Sequence, residues 1–168
     1  MPIDFDRLWR HVTGLCHAPH SIHGPRHWRC VERNGLVVAA HSGADVELVR
    51  LFALFHDSCR VNDGWDPGHG RRGALLATRL RGELFELDDA RMALLCEACE
   101  GHTDRKHHAD ATIGTCWDAD RLDLGRVGAV PDADFMSTAM GRRIAGHGSV
   151  ERWLAAEAAG AAEAAGAG

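Results

Sequence analysis

Two adjacent residues, His56 and Asp57, stand at the end of an apolar run made by Leu48, Leu51, Phe52 and Phe55. His56 lies four residues past Phe52 and extends the buried stripe of a helix, and Asp57 falls about 100° further round. An imidazole and a carboxylate at that angle can reach one ion near a helix end. A buried carboxylate without a partner is costly, and a metal is such a partner. Taken alone, the pair also reads as a capping aspartate beside a core histidine. Asp120 adds a third candidate. Ile113, Cys116, Trp117, Asp120 and Leu124 fall at i, i+3, i+4, i+7 and i+11, which puts Asp120 on an apolar helical face. Asp118 lies about 200° from it and is expected to face outward. A buried Asp120 paired with an arginine such as Arg121 is the competing reading. His27 shares a helical face with Cys30, Val31, Asn34 and Val38, while His20 and His23, just before it, are rivals for the same place. Imidazole nitrogen and carboxylate oxygen together suit a divalent ion such as manganese, iron, nickel, cobalt, zinc or magnesium. Two of each leave coordination positions for water and substrate.

Helices must position these residues, because helical periodicity recurs along the chain and alternating strand patterns are hard to find. Expected helices run from Phe5 to Cys16, from Pro25 to about Ala40, and onward from a cap at Asp45. Asp66-Pro67 reads as a cap and first turn for a helix to about Arg81. Others are expected from Asp88 to Glu100, from Thr112 to Leu124, from Phe135 to Ala145 and after Ser149. The whole is an all-α reading with one domain over residues 1–158. Residues 159–168, built from alanine, glutamate and glycine, form a tail without anchors that is expected to fray.

Bulk properties narrow the function. A chain of 168 residues can bury a real core as one domain. Its net charge of -5 offers no basic field for a nucleic-acid polymer or an anionic membrane. No apolar run reaches the roughly eighteen residues of a membrane span. The first six residues carry two acids and no hydrophobic segment, so no secretory signal is expected. With six cysteines expected to be reduced, a soluble, cytoplasmic protein is the expectation. Twelve histidines against no tyrosine draw attention to where the histidines stand.

The ordered pieces His27…Val31, Leu54-Phe55-His56-Asp57 and Asp120-Arg121-Leu122-Asp123 resemble the HD-domain superfamily over about Ser21 to Gly128. The resemblance implies a compact all-α helical bundle and a metal-dependent phosphohydrolase. Its ligands would be His27, His56, Asp57 and Asp120, with the metal where the second, third and sixth helices converge. The substrate would be a small phosphorylated molecule such as a nucleotide or other phosphate ester, attacked by a metal-activated water. Some members bind a second ion. His69, in a His-x-x-x-Gly arrangement with Gly73, and His102, following the stripe Met92, Leu95, Cys96 and Cys99, are candidates for it, with Asp57 bridging. Where the single-metal nucleotidase branch has a glutamate three residues after the aspartate, this chain has Arg60. Asp63 or Asp66 would then replace that base, or none is needed. Arg60 itself suits a phosphate held in a fork. Arg71, Arg72, Arg105 and Lys106 are further phosphate candidates that also read as solvated charges. Cys96 and Cys99 read as inert thiols on one face, and His107-His108 as a solvated pair. Two other functions stay open: an HD-type di-iron oxygenase and a non-catalytic nucleotide-sensing module.

Overall fold

Aspartates open half of the α-helices. In a computed structural model that describes residues 2–16 and 18–166, Asp4, Asp45, Asp88 and Asp110 each accept hydrogen bonds from backbone N–H groups of the first turn that follows. Thr138 does the same for a later helix. Such caps contribute about 1 kcal/mol each. The helices are α1 (Phe5–Gly14), α2 (Pro25–Ser42), α3 (Val46–Phe55), α4 (His69–Leu80), α5 (Asp89–Gly101), α6 (Ala111–Arg121), α7 (Ala139–Gly146) and α8 (Val150–Gly166). Among the described residues there is no strand, only one isolated bridge between Arg81 and Phe85. No helix is long and apolar enough to cross a membrane.

Helix α3 is the central post. Residues Leu51 to Phe55 are all fully buried, because α1, α2, α4, α5 and α6 all contact this helix. A helix covered on every side has no polar face to keep, which explains the unbroken apolar run. A second cluster of Val38, Leu122, Met136, Met140, Ile144, Val150 and Trp153 docks α7 and the start of α8.

Several expectations change in the folded chain. Helix α1 stops at Gly14, two residues early. Helix α4 begins at His69, after Gly68 in the left-handed region (φ 82°) with no side-chain cap. Asp66 is drawn away from that duty by partners five and six residues off: it accepts from the Val61 N–H and takes both oxygens to Arg72 at 2.6 and 2.7 Å. Helix α6 ends at Arg121, and Leu124–Val127 continues as a 3-10 turn. Phe135 belongs to a second 3-10 turn, and α7 starts only after the Thr138 cap. The chain beyond Ala158 continues as helix to Gly166, where alanine supplies helix propensity without anchors; residues 167 and 168 lie outside the described residues.

Asp118 is the clearest correction. It is fully buried rather than outward-facing, because α7 and the turn before it cover the side of α6 that periodicity leaves to solvent. Its oxygens accept from the Ser137 N–H, the Thr138 N–H and the Thr138 hydroxyl at 2.6–2.8 Å. A Cβ on Gly141 would stand 2.2 Å from Asp118 Oδ2. Gly141→Ala is therefore expected to cost about 1–3 kcal/mol through overpacking, read as a shifted urea midpoint at unchanged slope.

Asp45 supplies a pH signature. Burial pushes its carboxyl up, but the Arg91 guanidinium and the Leu48 and Glu47 N–H groups outweigh that and hold it below the usual range. A carboxyl lowered in the fold stabilises above its unfolded pKa and loses that contribution as pH falls through the folded one. Asp45→Asn is expected to lose about 1 kcal/mol near pH 7, and its deficit against the parent should close in urea titrations carried from pH 7 to pH 2.

Candidate metal centre

Helix ends deliver the cluster. His27 comes from the first turn of α2, His56 and Asp57 from just past α3, His69 from the first position of α4, His102 from just past α5, and Asp120 from the last turn of α6. His27 Nε2 lies 3.1 Å from His56 Nε2 and 3.1 Å from Asp120 Oδ1. Asp57 Oδ2 stands 3.7 Å from both of those imidazole nitrogens. Its other oxygen, Oδ1, faces His69 Nε2 at 3.2 Å and His102 Nε2 at 3.7 Å, and those two nitrogens are 3.0 Å apart. The side chains form metal-capable groups around both oxygens of Asp57: His27 with His56 on one side, His69 with His102 on the other.

The outer atoms settle which nitrogens carry protons. Each of the four rings places Nδ1 against an acceptor: Asp123 Oδ2 at 2.7 Å for His27, the Phe52 and Ala53 carbonyls for His56, the Asp66 carbonyl at 2.6 Å for His69, and the Cys99 carbonyl at 2.7 Å for His102. Nδ1 therefore donates in every case, and a neutral ring presents a bare Nε2 lone pair to the centre. Two such nitrogens 3 Å apart repel unless a cation, or a proton on one of them, lies between them. Asp57 Oδ1 is buried and receives no hydrogen bond, which fits the same demand.

Electrostatics agree. Asp57 and Asp120 are held below the usual carboxylate range: burial opposes this, but the facing histidines outweigh it. The centre thus keeps two negative charges. Burial pushes the His56 ring down to about 3 and also lowers His69. Burial works the same way on His27 and His102, yet the nearby aspartates raise both. Four imidazoles and two carboxylates are a donor set of the right chemistry for one or two divalent ions.

The six residues expected as ligands are thus brought together, and α4 and α5 join α2, α3 and α6 in doing it. Of the rivals to His27, His20 is exposed. His23 has a different position: its Nδ1 is 2.9 Å from Asp57 Oδ2. Asp63 is exposed, bonded to the Ser21 hydroxyl, and is not among the residues lining the cavity above the cluster; Asp66 is committed to Arg72. Arg60 does border that cavity, with Nε 3.4 Å from Asp57 Oδ1 and both Nε and Nη1 buried without a hydrogen-bond partner. Arg72 is tied to Asp66, Arg105 to Glu97, and the Lys106 ammonium sits over the Phe135 ring; Arg71 is exposed. Cys99 is buried, Cys96 half-buried, and neither joins a metal-capable group among the described residues. Burial pushes the Cys99 thiol far up, consistent with an inert role. His107 is exposed as expected and bonds the Asp134 carbonyl, while His108 is half-buried and stands edge-on to Trp117.

Sequence reasoning missed Asp123, which orients His27, and two arginines of the cavity wall. Arg121 donates to the carbonyls of His102, Lys106 and Phe135 rather than pairing with an acid. Arg126 reaches the Ile22 and Asp123 carbonyls. The cavity itself measures about 390 Å³, with Leu124, Phe135 and Met136 on its apolar side.

No protein-family model and no curated protein matches the chain. Among solved structures it is similar to a predicted HD superfamily hydrolase from an uncultured Thermotogales bacterium, with 20% identity, 99% of this chain and 94% of that chain covered, and a TM-score of 0.70. That likeness shows the fold.

Proposed function

We propose that this chain, built on the HD-domain fold, is a metal-dependent hydrolase of small phosphate esters, nucleotides among them. The observation that carries the reading is the inward set of bare Nε2 and carboxylate atoms on the floor of a cavity whose wall holds Arg60, Arg121 and Arg126. His27, His56, Asp57 and Asp120 would hold one ion. His69, His102 and the second oxygen of Asp57 would hold another. When bound, such ions supply Lewis acidity, lowering the pKa of water and offsetting charge on phosphoryl oxygens.

The chain's own groups do the rest. The Arg60 guanidinium, at the cavity border, would bring positive charge to a phosphoryl group. Arg121, pinned by backbone carbonyls, and Arg126, whose Nη1 lies 3.9 Å from Asp123 Oδ2, bring positive charge to the cavity wall. His23 donates Nδ1–H to Asp57 Oδ2 and fixes the plane of that carboxylate. Leu124, Phe135 and Met136 give the organic part of a substrate an apolar surface. A cavity of about 390 Å³ is of small-ligand size, and with the negative net charge it favours a small phosphorylated molecule over a nucleic-acid polymer or a membrane.

The test is a screen of phosphomonoesters, nucleotides and cyclic nucleotides against protein stripped with a chelator and reloaded with single divalent ions. Turnover that vanishes on stripping and returns on reloading is expected. Turnover indifferent to the chelator contradicts the proposal, and ligand binding without turnover identifies a nucleotide sensor instead. The paired ligand groups around Asp57 also favour a second reading, a di-iron oxygenase; iron content with oxygen-dependent turnover and no phosphate release would mark it.

A further inference from the structure

The cavity above the metal ligands has a neighbour. A smaller hollow of about 120 Å³ shares Arg60, His69 and Thr103 with it, so the two adjoin at these side chains. The far side of the hollow is bounded by Trp65, Glu100 and Asp104. The Trp65 indole is 81% exposed, while the other four tryptophans, at positions 9, 28, 117 and 153, are 6% exposed or less.

Trp65 is nevertheless on an anchored loop. Asp66, beside it, accepts from the Val61 N–H and from Arg72, and Arg72 also donates to the Cys59 carbonyl. Asn62 accepts from the Gly64 N–H, and Asp63 from Ser21. A large, widely exposed indole that borders a hollow on such a loop presents a stacking surface.

We propose that this hollow is a second subsite of the catalytic cleft and that the substrate is a phosphodiester. One organic group lies against Leu124, Phe135 and Met136, the phosphate lies at Arg60, and a planar second group stacks on Trp65. A monoester has one organic group and would leave the hollow empty. Glu100 and Asp104 at its edge disfavour a terminal phosphate there and suit the N–H edges of a neutral ring. Hydrolysis adds water across one P–O ester bond: the water oxygen joins phosphorus, the leaving alkoxide takes a proton from that water, and a monoester and an alcohol result. This inference rests on the hydrolase reading above.

The experiment compares 4-nitrophenyl phosphate with bis(4-nitrophenyl) phosphate on the manganese-loaded full chain, and follows indole emission during titration with phenyl phosphate or diphenyl phosphate. The diester is expected to be the better substrate, and diphenyl phosphate to quench or blue-shift the exposed indole where phenyl phosphate does not. Trp65→Ala should lower the diester-to-monoester ratio of kcat/KM by about tenfold, the size of a base–aromatic stack. Trp65→Phe, which keeps a ring, should restore most of it. A ratio within twofold of the parent in Trp65→Ala, or emission blind to diphenyl phosphate, overturns the subsite. If neither ester is cleaved the hydrolase reading fails, and the emission titration still decides the subsite separately.

Discussion

Asp57→Ala is expected to lower phosphate-ester hydrolysis by about a thousandfold or more, a loss of roughly 4 kcal/mol of transition-state stabilisation, and to strip the protein of bound metal. The size of the effect follows from geometry. Asp57 turns one oxygen to His27 and His56 and the other to His69 and His102, so its loss takes a ligand from both ion positions at once. His23 and Arg60 lose their partner as well. The substitution removes a carboxylate that the facing histidines hold in its charged form, so the metal-free protein should lose some stability as well. Two readouts separate lost metal from lost fold. The chelated variant should still melt cooperatively, and the rise in Tm that manganese gives the parent should be absent. Activity near the parent's, with metal still bound, would contradict the assignment.

Gly73→Ala should be among the most damaging changes outside the candidate ligands. A Cβ there would stand 2.1 Å from the Phe55 carbonyl oxygen and 3.4 Å from that of His56. One turn earlier, a Cβ on Gly70 would stand 2.0 Å from the Cys99 carbonyl oxygen. Helix α4 therefore lies directly on two backbone segments, the end of α3 that leads into His56-Asp57 and the end of α5 that leads into His102. This is the physical content of the His-x-x-x-Gly arrangement: His69 supplies a candidate ligand, and four residues on, the same helical face needs a residue with no side chain. Backbone on both sides cannot yield as a flexible side chain would, so α4 must move outward and carry His69 with it. A cost of about 3 kcal/mol is expected, roughly a 6–12 °C fall in Tm for a chain of this size. Manganese stoichiometry should fall before the His27 and His56 position empties. A variant with parental Tm and two ions bound would show that close approach of α4 does not set the second position.

Most of the candidate ligands were legible in the sequence because they lie on an apolar stripe or at its end, whereas His69 was legible only through the family resemblance. His56 and Asp57 close the α3 run, Asp120 sits in register with Ile113 and Trp117, and His102 follows Leu95 and Cys99. Most helix starts were legible as well, since a capping aspartate acts on N–H groups two or three residues away. What failed depended on partners outside the local pattern. Periodicity sends Asp118 to solvent only if α6 has a solvent side, and α7 removes it. Asp66-Pro67 has the local pattern of a cap, but Arg72 and the Val61 N–H claim the carboxylate. The roles of Arg121 and Arg126 rest on carbonyls of residues far along the chain, which no spacing rule reaches. His23 lies in a turn without periodicity, so its neighbourhood with Asp57 left no signal.

The most direct measurement is anomalous diffraction from a crystal of manganese-saturated protein, collected on both sides of the manganese absorption edge. A peak within bonding distance of His27 Nε2, His56 Nε2, one oxygen of Asp57 and an oxygen of Asp120 is the expected result, with a second peak beside His69, His102 and the other Asp57 oxygen. Manganese bound elsewhere in saturated crystals, with the space among these six side chains empty, would contradict the proposal that they exist to hold a cation.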